Sequence, residues 1–182
     1  MLTGGILYAQ ENPFPSRVVE YRPAPGQHIN DSLTGRPESA QKLTKGTDGL
    51  VSLGAYGGYI VVAFDQRIMN DPENPYGVDF ILAGNAFSGS SEPGIVRVMK
   101  DENGNGLPDD TWYEIAGSLH HSRQFNPDYS LCYYNQPDEN GNIPWTDNGN
   151  VSGFIYRNSY HEQVYYPMQE HFPSISPDSL RF

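Results

Sequence analysis

Tyr59-Ile60-Val61-Val62-Ala63-Phe64 is the stretch on which the fold turns. Five of its six residues are β-branched or aromatic, the side chains that pack well on a pleated surface. It sits inside a longer apolar run, residues 53–64, and the lack of alternation predicts a strand buried on both faces. Gly54, Gly57 and Gly58 at its start predict a bulge or a close backbone approach. Shorter stretches of the same character lie on either side. They cover residues 16–21, 78–83, 95–100, 112–116, 129–134 and 154–157, and Ser179-Leu180-Arg181-Phe182 begins another. Gly-, Pro- and Asn-rich segments separate them. Parallel βαβ units would need helices between the strands, and the sequence has no room for them. One short helix is expected, with Pro37 at its first position and Gly46 closing it. The fold class predicted is therefore all-β, an antiparallel β-sandwich of jelly-roll type with long loops.

Composition agrees with that class. The chain has 182 residues with 19 Gly, 15 Pro and 13 Tyr. That suits one domain, here residues 16–182, able to bury a core without metal or disulfide help. Residues 1–15 read as a leader remnant or linker. Ala9, after an uncharged apolar start, resembles the end of a signal peptide whose beginning is missing. Export to the outer surface or the medium is the expectation. A C-terminal truncation is a second expectation, because the last strand starts and then stops. No segment is apolar for long enough to span a membrane. The net charge of −11 carries no basic footprint for nucleic acid. Cys132, the only cysteine, lies in an apolar run and is expected to pack as a small hydrophobe.

The chemistry-bearing motif is Asp101-Glu102-Asn103-Gly104-Asn105-Gly106-Leu107-Pro108-Asp109-Asp110. Oxygen-bearing side chains fall at loop positions one, three, five and nine, Gly106 permits a sharp bend at six, and Leu107 can donate its carbonyl at seven. Calcium takes six to eight hard oxygen ligands, and this alternation turns them inward. The stretch resembles the calcium loops of EF-hand, dockerin and thrombospondin type 3 repeats. It departs from the EF-hand at position twelve, where Trp112 stands in place of a bidentate Glu. Asp110 or a distant residue would have to complete the shell. The ligand set read from the sequence is thus Asp101, Asn103, Asn105, Leu107, Asp109 and Asp110, with calcium as the cofactor. A solvated Asn-Gly turn is the plainer alternative. A weaker echo, residues 138–142, reads better as a turn than as a metal loop.

Aromatic side chains supply flat faces for stacking, although most tyrosines of such a chain belong to the core. Trp145 stands out because Pro144 and Thr146-Asp147-Asn148 suggest a loop that presents its indole. With Trp112, Tyr160, Asn85 and Glu92 it forms the candidate ligand-binding set. Asp65, Glu92, Glu114 and Asp147 are carboxylates from which a hydrolytic pair would have to come. His120 and His121 are adjacent, and His161 and His171 stand apart in sequence. No nucleophile elbow, zinc-protease helix or phosphate loop is present.

Several phrases together resemble a group of exported, PKD-domain-type cell-surface proteins of gut Gram-negative bacteria. They include Val19-Glu20-Tyr21-Arg22-Pro23, Gly57-Gly58-Tyr59-Ile60-Val61, Gly84-Asn85-Ala86-Phe87 and Ser91-Glu92-Pro93-Gly94. Asp109-Asp110-Thr111-Trp112-Tyr113-Glu114 and Tyr156-Arg157-Asn158-Ser159-Tyr160-His161 complete them. The resemblance spans residues 17–166, and against the group this chain is short at both ends. It implies export and surface nutrient capture, of a glycan or a corrinoid, beside a surface receptor or transporter. It carries over no catalytic residues. Three functions follow as alternatives: a calcium-dependent surface binding module, a glycan hydrolase, and a structural or adhesive domain.

Overall fold

The computed structural model describes residues 12–46, 49–122, 125–139 and 141–182. The N-terminal leader reading falls mainly on residues outside this description. Among the described residues all sheets are antiparallel, and helix is confined to one short α-helix, α1 (Pro37–Ala40), and brief 3-10 turns. The all-β expectation holds.

Strands β1 (Arg17–Arg22) and β2 (Tyr59–Ala63) pair as a ribbon, with a register shift between Val18 and Glu20. The irregularity expected at the glycines therefore lies on the partner strand. The glycines serve close packing instead. Gly54 has φ +77, and a Cβ there would stand 1.8 Å from the Ala24 carbonyl oxygen. β2 is shorter than the apolar run that predicted it, and it is half-buried rather than covered on both faces, with Tyr59 and Phe64 exposed.

Strands β3 (Arg97–Met99) and β4 (Trp112–Glu114) form a separate two-stranded hairpin joined by the 101–110 loop. The largest sheet runs in the order β7 (Ser152–Ile155), β6 (Ile143–Asp147), β5 (Leu131–Tyr134), β8 (Ser179–Arg181). β6 was not expected, because Pro144 and its polar neighbours read as a turn. Pro144 pairs only with Phe154 of β7 and lies past the last β5–β6 partner pair, Tyr133–Trp145, so its missing N–H breaks no rung on that side. The predicted strand over 78–83 does not form. Phe80, Ile81 and Leu82 are exposed there, and without a pairing partner β-propensity alone cannot hold an extended run.

The core lies under the four-stranded sheet. Leu131, Tyr133, Ile143 and Leu180 from the strands meet Ala24, Ile29, Tyr165, Tyr166, Phe172 and Ile175 from the connecting segments. The buried tyrosines keep their hydroxyls bonded. Tyr133 Oη donates to the Tyr56 carbonyl at 2.8 Å, and Tyr166 Oη to that of Ser176 at 2.9 Å. Cys132 on β5 is half-buried, as its sequence setting suggested in part.

Asn30 ties two distant segments together. It is 4 % exposed, with φ +68. Its Nδ2 donates to the carbonyls of Val164 (2.7 Å) and Tyr166 (2.8 Å), and its Oδ1 accepts from the Met168 amide at 2.9 Å.

Candidate functional site

The 101–110 loop folds on itself through its own side chains. Asp101 Oδ1 accepts the Gly104 N–H at 2.7 Å, and Oδ2 accepts that of Gly106 at 2.8 Å. Asn103 Oδ1 accepts the Asn105 N–H at 2.9 Å, and Asn105 Oδ1 the Leu107 N–H at 2.7 Å. The two Asn bonds are Asx turns in series, each wrapping the backbone around the side chain two residues before, and Asp101 reaches three and five residues ahead. Gly104 and Gly106, at φ +73 and +72, supply the left-handed residues such winding needs.

The late carboxylates close the loop. Asp109 receives the amide of Asn105 on Oδ2 at 3.0 Å and that of Asn103 on Oδ1 at 3.4 Å. Asp110 Oδ2 accepts the Glu102 N–H at 2.9 Å, joining the end of the loop to its beginning. The expected side-chain donors are thus bonded to one another or to the loop's own backbone, while Asp101, Asn103, Asn105 and Asp109 stay exposed. Among the described residues no three His, Cys, Asp or Glu side chains are grouped as a metal site. The donor set of the loop is a mixture of carboxylate, amide and carbonyl oxygens.

Two contacts fix the loop to the scaffold. Arg17 of β1 donates from Nη2 to the Gly106 carbonyl at 2.8 Å. The Trp112 indole N–H donates to the Pro108 carbonyl at 3.2 Å, so the ring orientation depends on the loop.

The candidate ligand-binding residues lie on different elements. Trp112 is on β4 and remains partly exposed, Tyr160 is almost fully exposed after β7, and Asn85 and Glu92 are exposed on the irregular stretch before β3. Trp145 does not stand on a presenting loop. It lies within β6, packs against the core, and meets Tyr56 edge to face at 6.4 Å. Its indole also fills the space above Gly153, where a Cβ would approach within 2.6 Å.

The carboxylates considered for hydrolysis are also dispersed. Asp147 ends β6 and its Oδ1 accepts the N–H groups of Gly149 and Val151, which makes it a hairpin residue. Glu114 on β4 is held by Arg97, whose Nε and Nη2 both reach Oε2, and by His120 Nε2 at 2.8 Å from Oε1. Arg97 first and His120 second hold the Glu114 carboxyl below its usual range. His120 Nδ1 accepts the Gly117 N–H at 2.8 Å, so Nε2 carries the proton of the neutral ring. With both nitrogens committed, this pair pins a turn and offers no free base.

His161, isolated in sequence, meets His28 with ring centroids 4.4 Å apart. A separation of 133 positions hid that contact. The weaker loop at 138–142 includes Asn140, which lies outside the described residues, and the Gly141 N–H to Asp138 carbonyl bond at 2.8 Å makes a turn there. Among the described residues no helix is long and apolar enough to cross a membrane. Compared with known proteins, the chain matches no family model and none of the curated proteins.

Proposed function

We propose that this chain is an exported calcium-binding module whose 101–110 loop holds the ion and shapes a ligand-binding surface beside it. The single observation behind this reading is the closed loop. Asp101 is wrapped by the backbone amides of Gly104 and Gly106, Asn103 and Asn105 both reach Asp109 through their side-chain N–H groups, and Asp110 joins the end of the loop to its beginning. The donors match what a hard divalent cation takes: carboxylates, amide oxygens and the Leu107 carbonyl. A cation would take the Asp109 lone pairs now used by the two amides, and rotation of those amides would turn their oxygens inward.

The likeness to surface proteins supplies the rest of the proposal. The module acts at or outside the cell surface, in a β-sandwich setting, as a capture element for a glycan or a corrinoid. A surface receptor or transporter is its partner class. Trp112, anchored through Pro108, is the ring that calcium would orient, and Tyr160, Asn85 and Glu92 are further exposed contacts. Trp145 is withdrawn from this set because its ring belongs to the core.

Calorimetric titration of calcium into the parent and into Asp101→Ala tests the site. The parent should bind with a saturating heat and the variant should not. Equal heats would remove the site. A glycan array and a cobalamin titration in calcium then test the ligand class. Calcium-raised melting with no response to either ligand would point instead to an adhesive domain.

A further inference from the structure

The hairpin β3–β4 has two unlike faces. One carries the Arg97–Glu114–His120 cluster beside Met99 and Trp112. The other follows from the register. Val98 faces Tyr113, and the Ile115 N–H to Val96 carbonyl bond at 2.9 Å extends the ladder one pair further. That second face is wholly apolar. Yet Val98, Tyr113 and Ile115 are 38 %, 64 % and 41 % exposed. The preceding stretch has the same character, with Ile81 at 86 % and Leu82 at 72 %.

The scale excludes an ordinary surface. The accessible area is 13578 Å² for 20.3 kDa. A compact monomer of that mass exposes about 8,800 Å². Granting the sixteen residues outside the description their whole unfolded area, about 2,500 Å², still leaves about 2,300 Å² in excess. That excess belongs to the chain as a whole, and the exposed hairpin face is one contributor to it. The pairing agrees. β3 and β4 form a two-stranded sheet, so each has one outer edge without a strand among the described residues. A lone hairpin is marginal in water until a third strand or a covering layer joins it.

Charge selects the occupant. Residues 64–119 carry ten Asp and Glu against three Lys and Arg. Calcium in the loop would offset only two of those charges. A second copy brings a further net charge of −11 and is repelled. We infer that the β3–β4 hairpin is a docking site for a strand-forming polypeptide partner in which apolar residues alternate with Lys and Arg. The partner adds its backbone to a free edge and lays its apolar side on Val98, Tyr113 and Ile115. Its basic side answers the chain's acidic balance and the Asp101, Glu102, Asp109 and Asp110 carboxylates of the loop that joins the two strands. This inference does not depend on calcium.

The test uses capped peptides of alternating Lys-Val and alternating Glu-Val, eight residues each, with the intact chain. Hydrogen exchange is read at residues 96–99 and 112–115, and affinity by anisotropy at low and high salt. The Lys-Val peptide should slow exchange in both segments and weaken with salt, and the Glu-Val peptide should do neither. Val98→Lys with Tyr113→Lys should weaken the Lys-Val peptide about tenfold or more, because a charge then faces apolar side chains. Unchanged exchange at residues 131–134 shows that this variant is still folded. Equal binding of both peptides, or of neither, overturns the proposal. So does a dimer in sedimentation whose 96–99 and 112–115 amides are already protected.

Discussion

Replacing Asn30 by Ala removes one side chain and strands three backbone groups. The carbonyls of Val164 and Tyr166 lose their donor, and the Met168 amide loses its acceptor. Each unsatisfied buried group costs about 1–3 kcal/mol. The carbonyls retain a second lone pair, so the low end applies, and the three together come to about 3 kcal/mol. The backbone adds to this. At φ +68 an Ala pays about 1 kcal/mol that Asn largely avoids. The expected loss for Asn30→Ala is about 4 kcal/mol, a large part of the stability of an ordinary domain. Asn30→Gly breaks the same bonds without the backbone strain and should lose about 1 kcal/mol less. Urea unfolding with a common slope measures both. A loss below about 1 kcal/mol for Asn30→Ala, or no difference between Ala and Gly, would refute the reasoning.

Gly153→Ala places a methyl 2.6 Å from Trp145 Cζ2, and the displaced indole should cost about 1–3 kcal/mol, with a shifted tryptophan emission on folding. Burial pushes the Tyr166 hydroxyl up to about 12, and burial with the Glu20 bond pushes that of Tyr59 to about 12. A raised folded pKa adds stability that is present below the unfolded value, near 10. That stability is lost as pH rises towards 12, so unfolding should accompany phenolate absorbance in this window. The lowered Glu114 carboxyl has the opposite sign: its contribution is present above the usual carboxylate range and is lost as acid protonates it. Carbon NMR should place its midpoint below that of an ordinary glutamate, and Arg97→Ala should move it back up.

The strands that pair within one hairpin or close on the core were readable from side-chain type. Val18 to Tyr21 and Leu131 to Tyr134 combine β-formers with flanking turn residues, and both are strands. Ile143–Asp147 was hidden because its proline is harmless only where β5 stops pairing, a fact of register and not of sequence. Residues 78–83 failed for the converse reason: strand propensity needs a neighbour. The loop was legible because its oxygens recur at short spacing, and Asx turns are local chemistry. The His28–His161 contact depends on how separate segments meet, and the Glu114–His120 pair on the path of the turn after β4. Composition carries no trace of that. Trp145 shows the same limit, since polar neighbours on a strand and on a loop look alike until the opposite face is known.

Calcium and a docked strand would act on one hairpin, and their effects on each other can be signed. The loop joins β3 to β4, so an ion that fixes it removes disorder that a partner strand would otherwise have to remove. That contribution makes each ligand tighten the other. Charge works the other way, because two positive charges in the loop weaken its attraction for lysines nearby. Salt screens the second effect and leaves the first largely intact. The Lys-Val peptide should therefore bind more tightly with calcium than without it at high salt, and the gain should shrink or reverse at low salt. Linkage requires the same factor in the calcium affinity measured with and without peptide. Antagonism that persists at high salt would mean that the loop orders independently of the strands it joins, and that calcium acts on its own ten residues alone.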